Sequence, residues 1–235
     1  MRSEFNERNT CMTDNDYVGT DFPDEIATHE CGHVVALAAA GLTEEFISVT
    51  NVPQNGVLGL TVRSGASLTK LSGMLLEYSR NLVDGRQEGL EAFRNFVLTT
   101  PVVCLPHICF FFGGGSIDRL LGRESPDRNA IDANCIRQMV IPSMLLTSLS
   151  DEDLTWVQEE VDKFLLNVFK KEKVLFGRIY RAIVEHEVLE RNSIPDILKD
   201  MQACADRSDE NYKNLLASVK EWYAGKVKQL PYFQV

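Results

Sequence analysis

The five residues His29-Glu30-Cys31-Gly32-His33 constrain the fold more than any other segment. They set two imidazoles and a carboxylate inside the run Ala27–Leu42, which is otherwise built of Ala, Val, Leu, Cys, Gly and one Thr. Small and apolar side chains of this kind favour helix, and Gly41 is a plausible stop, so the pattern predicts a helix from Asp24 to Leu42. Residues four apart lie on one helical face, so both imidazoles point the same way with Glu30 beside them. The helix is apolar nearly all round and is expected to be mostly buried. Polar groups in such a place cost free energy unless a metal or hydrogen bonds satisfy them. His-Glu-x-x-His on a helix therefore reads as two ligands for one Zn²⁺, with Glu30 placed to deprotonate a bound water.

A zinc ion that works on a substrate needs a third protein ligand and an open position. A metzincin would place Gly and His where this chain has Ala36 and Ala39, so that class is ruled out. Glu77 or Glu91 on a following helix could supply the ligand, and so could the acidic cluster Asp118, Glu124, Asp127 and Asp132. Spacing alone does not choose among them. Cys104, His107 and Cys109 sit on an apolar stretch with Pro106 and read as buried packing. Cys31 reads as a small helix residue, and His186, between two glutamates, as a surface residue.

Phe46–Val52 and Val57–Val62, separated by Pro-Gln-Asn-Gly, predict a pair of strands. Helices follow over 67–83, from about Leu90 to Val97, and over the apolar run 102–112, after which Gly113-Gly114-Gly115 either breaks the helix or admits close backbone contact. Pro126 opens another helix to about Val140, with Ser125 as its cap. Ser150 with Asp153 resembles a capping box before a long amphipathic helix, and more helices are expected near 174–190, 193–202 and 209–229. The expected class is mainly α with a small β-sheet (α+β): a polar leader over 1–23, a core over 24–149 and a C-terminal helical region over 150–235 packed on it.

Twenty-four Lys and Arg against 34 Asp and Glu give a net charge of −10, which repels phosphate backbones, so no nucleic acid partner is expected. The first ten residues lack the apolar core of an export signal, and the stretch 102–115 is shorter than the ~20 residues that span a bilayer. No membrane insertion is expected, and six cysteines without a Cys-x-x-Cys pair fit reduced thiols in a cytoplasm.

Three blocks in order, ATHECGHVVALAAAG, ISVTNVPQNGVLGLT and GGGSIDRLLGRESPDRNAIDANCIRQMV, make the chain similar to the peptidase domain of FtsH-type AAA zinc proteases. The likeness spans about residues 25–202. It implies a zincin-like helix plus a C-terminal helical bundle, with Zn²⁺ held by His29, His33 and Asp127 and with Glu30 as the catalytic base. It also implies that Val57, Leu58, Gly59, Leu60 and Thr61 hold an extended substrate. The chain departs from the family at Ser116-Ile117-Asp118, where the family has Ala-Glu-Glu, and at Pro126, and it carries about 25 extra residues between Val62 and Phe112. It has no nucleotide-binding GxxxxGK motif followed by Ser or Thr. The implied function is a zinc endopeptidase acting on unfolded or flexible protein segments without ATP of its own, as a homo-oligomer or beside a separate ATPase. The alternative is a non-catalytic relative that serves as a binding or assembly module.

Overall fold

The structure is a computed structural model that describes residues 22–53, 58–83, 87–123, 126–141, 144, 150–230 and 233. It is mostly helical, with one small antiparallel sheet. The polar leader lies outside the described residues up to position 21, and Phe22, the first described residue, packs edge-on against Phe176 and Tyr180.

Helix α1 (Glu25–Ala39) begins at Asp24, whose carboxylate accepts from the Ala27 N–H. It ends at Gly41, which adopts φ +78° while the Leu42 N–H bonds back to the Leu37 carbonyl. Every residue from Ala27 to Ala39 is buried, so α1 is the axis of the core. Strand β1 (Phe46–Thr50) pairs antiparallel with β2 (Leu60–Arg63), which leads into α2 (Ala66–Val83).

Helix α3 (Gln87–Leu120) runs unbroken through Pro101, Pro106 and all three glycines. The separate helices expected over 90–97 and 102–112 are thus one, and Pro101 and Gly113 show how the chain continues. Pro101 cannot donate to Val97, and the Thr100 hydroxyl takes over that carbonyl at 2.9 Å. At Gly113 the cause is packing: a Cβ there would lie 2.5 Å from the Gly32 carbonyl oxygen, so the two glycines let α1 and α3 touch backbone to backbone. The apolar run 102–115 thus belongs to a helix long and apolar enough to cross a membrane, yet 78% of its apolar window is buried inside the fold.

Helix α4 (Pro126–Cys135) passes into a π turn (Ile136–Val140). Helix α5 (Asp151–Lys171) starts with the Ser150–Asp153 capping box and packs on α3. Helix α6 (Lys173–His186) ends earlier than the apolar pattern predicts. Glu187 turns to φ +60° and Val188–Glu190 form strand β3 on the free side of β1, giving the order β2-β1-β3. Val184 and Val188 continue a helical period in sequence, and only the exposed edge of β1 explains why the chain leaves the helix. The two helices expected at 193–202 and 209–229 are one, α7 (Pro195–Val227). Cys204 and Ser208 are buried within it, so the polar residues between 203 and 209 mark its exposed side rather than a gap.

Candidate metal centre

The site is assembled from α1, α3 and α4. On α1 the side chains of His29 and His33 converge, with their Nε2 atoms 3.2 Å apart. Both are almost fully buried. Each ring is fixed through its other nitrogen: His29 Nδ1 lies 2.7 Å from Asp118 Oδ2, and His33 Nδ1 donates to the Phe110 carbonyl at 2.7 Å. The acid that the residues 116–118 supply is therefore Asp118, fully buried on α3, in the supporting place at His29. Gly114 faces the same ring, and a Cβ there would lie 2.5 Å from His29 Nε2. The triple glycine divides its work between the helix crossing and room for an imidazole.

The third group comes from α4. Asp132 Oδ2 lies 3.4 Å from His29 Nε2 and 3.5 Å from His33 Nε2, and it is buried with no hydrogen-bond donor. His29, His33 and Asp132 are the one metal-capable group among the described residues. The resemblance to FtsH-type proteases implies Asp127 as the third ligand, whereas spacing leaves the choice open. The Asp127 side chain lies outside the described residues, although its position falls in the first turn of α4. Asp132 stands four and eight residues before Ile136 and Val140, both fully buried. That spacing was the available signal for an inward carboxylate.

These donors fit a tetrahedral divalent cation. With bonds of ~2.0–2.1 Å, ligand atoms at tetrahedral angles stand about 3.3 Å apart, and the three edges here are 3.2, 3.4 and 3.5 Å. With both Nδ1 atoms tied to acceptors, the two Nε2 atoms and a carboxylate oxygen face one another, an arrangement that favours a positive charge, a proton or a cation, among them. Burial alone would lower the basicity of His29, but the side chains of Asp118 and Asp132 and the charges of Asp118 and Glu30 outweigh it and hold the imidazole up at about 9.

Glu30, nearly buried, turns its Oε2 to the Thr61 hydroxyl at 2.7 Å. Gly59 lies against the other oxygen; a Cβ there would sit 2.8 Å from Oε1. A cavity of about 290 Å³ opens above these groups. Its walls are Leu58, Gly59, Leu60 and Thr61 on one side, Phe110 and Phe111 behind, and Ile26, Ile131 and Cys135. Four residues of the expected substrate strand thus border the cavity, whereas Val57 lies outside the described residues. The regular strand is only Leu60–Arg63.

Other candidates fall away from the site. Glu77 and Glu91 are exposed and border no part of the cavity, and Glu124 lies outside the described residues. Cys31 is fully buried, and burial, together with the charges of Glu30 and Asp24, pushes its thiol well up. Cys104 is pushed up to about 12 by burial, and His107 bonds to the Ser67 hydroxyl at 2.7 Å, so Cys104, His107 and Cys109 do not converge on a metal. His186 is exposed. Comparison of the chain with protein-family models, with curated proteins and with solved structures finds no match.

Proposed function

We propose that the protein is a zinc-dependent endopeptidase that cleaves unfolded or flexible protein segments, with the ion held by His29, His33 and Asp132. The observation that carries this reading is the triangle of three ligand atoms with edges of 3.2–3.5 Å, one of them a buried carboxylate oxygen without a donor. Zinc in that position supplies Lewis acidity toward a water and a peptide carbonyl.

The remaining steps belong to the chain's own side chains. Thr61 anchors one oxygen of Glu30, which leaves the other to take a proton from the attacking water. The same carboxyl then returns that proton to the amine released when the C–N bond breaks. Asp118 and the Phe110 carbonyl keep both rings in the tautomer whose Nε2 lone pair faces the ion. The segment from Leu58 to Thr61 forms one rim of the cavity, and a peptide laid along it would bring a backbone carbonyl over Glu30.

Incubating the purified, zinc-loaded chain with an unfolded protein such as casein tests the proposal. Cleavage should stop on chelation, and it should be lost in Glu30→Gln although that variant keeps its zinc. Equal cleavage by Glu30→Gln would remove Glu30 from the chemistry. A zinc-bound protein that cleaves nothing would favour the binding or assembly module.

A further inference from the structure

Behind the metal centre lies a buried polar cluster that the proposed chemistry leaves unused. Arg63, at the end of β2, holds its guanidinium carbon 5.1 Å from the ring centroids of both Phe110 and Phe111. Its side chain is only 7% exposed, and its charge is balanced by Glu45 at 3.5 Å, which is equally enclosed. Glu45 is anchored in turn, because its Oε1 accepts from the Ser67 N–H at 2.9 Å. A planar cation spread over two rings suits arginine and is worth more when desolvated.

The placement matters because Phe110 has two duties. Its ring packs 5.2 Å from the His33 ring, and its carbonyl is the acceptor that fixes His33 Nδ1. Burying an ion pair in this position is costly, and an apolar filling would hold the strand to the helix more cheaply. An arginine here therefore points to orientation rather than to stability alone.

We propose that Arg63 is a positioning residue for the metal centre: paired in charge with Glu45 and set over Phe110 and Phe111, it fixes the α3 segment whose Phe110 carbonyl orients His33. The inference rests on the reading of His33 as a ligand, but the orientation of His33 is measurable without any metal.

The experiment follows the His33 Nδ1–H resonance by NMR in metal-free protein labelled with ¹⁵N-histidine. The chain has only four histidines, and His33→Gln identifies the signal. The double variant Glu45→Gln/Arg63→Met removes both charges together, so no buried carboxylate is left unpaired. It should move the His33 resonance toward that of a solvent-exchanging imidazole and weaken zinc binding about tenfold, the scale of losing an outer support. Arg63→Lys, which keeps the charge for Glu45 but not the flat stacking surface, should move the resonance the same way by less, and it decides the matter if the double variant does not fold. Thr100→Val, which removes a buried hydroxyl of α3 bonded to Tyr223, leaves Arg63 and Glu45 untouched; it should leave the signal in place even if melting temperature falls. An unchanged His33 resonance in folded Arg63→Lys or in the folded double variant overturns the proposal. Predicted shifts in the variants, together with a wild-type protein that takes up no zinc, overturn the proposed function and leave the role of Arg63 standing.

Discussion

At the residue scale the question is which carboxylate completes the site. Asp132→Ala removes the acidic oxygen that lies 3.4 and 3.5 Å from the two Nε2 atoms, so zinc affinity should fall by orders of magnitude. Asp127→Ala should retain it; metal analysis of the two variants after dialysis separates the candidates, and zinc lost from Asp127→Ala alone would reverse the assignment. His107 gives a second residue-level expectation. Burial, then the Arg63 guanidinium, depress its imidazole from 6.5 to about 4, against an opposing pull from Glu45, while Ser67 bonds its Nε2. The unfolded chain therefore binds a proton that the folded protein refuses. The contribution of the neutral ring is complete above pH 6.5 and is lost as the pH falls toward 4, by up to about 3 kcal/mol. Urea unfolding at several pH values should show His107→Gln with a flatter acid limb over that interval, and identical limbs would show that His107 does not titrate there.

At the scale of elements, the crossing of α1 and α3 depends on two residues that lack a side chain. Gly113→Ala would drive a methyl group into the Gly32 carbonyl and the Ala36 Cβ, a clash between backbones that cannot simply rotate away. It should cost about 1–3 kcal/mol, the usual penalty of overpacking, visible as a lower denaturation midpoint. Its neighbour behaves differently, since the methyl of Gly114→Ala meets the His29 ring and should displace a ligand, with zinc affinity falling more than stability. A positive φ is strained for Glu187, where α6 gives way to β3. Glu187→Gly should relieve that strain by more than the freedom it adds to the unfolded chain, a net gain of about 1 kcal/mol. A lower denaturation midpoint in this variant would show that the turn carries no net strain.

For the whole molecule, the proposed ion would couple to the fold, because the three candidate ligand atoms come from two helices that meet only in the folded state. Zinc at about a thousand times its dissociation constant should add about 4 kcal/mol, or about 10 °C in melting temperature for a chain of this size. Calorimetry with and without chelator measures this, and Glu30→Gln should show the full shift; no shift in the wild type would argue against a bound ion. Much of this design is legible along the chain. The helix from Asp24 to Gly41, the pairing of His29 and His33 on one face, the strands on either side of Pro53 and the cap at Ser150 follow from local rules, since their causes lie within a few residues of each other. Tertiary structure decided what local rules leave open. The spacing of Asp132 to Ile136 and Val140 marks a carboxylate on the inner face of α4, but that it meets two imidazoles there is set by what faces it. Whether a triple glycine breaks a helix or lets another helix approach depends on Gly32, some eighty positions away in the chain. Val188–Glu190 leave a helical period for a strand because the edge of β1 offers backbone hydrogen bonds that the isolated segment cannot find. Periodicity reports the environment of one face of one element; the identity of the neighbour is set by long-range packing, and the third ligand, the continuity of α3 and the third strand all depend on that neighbour.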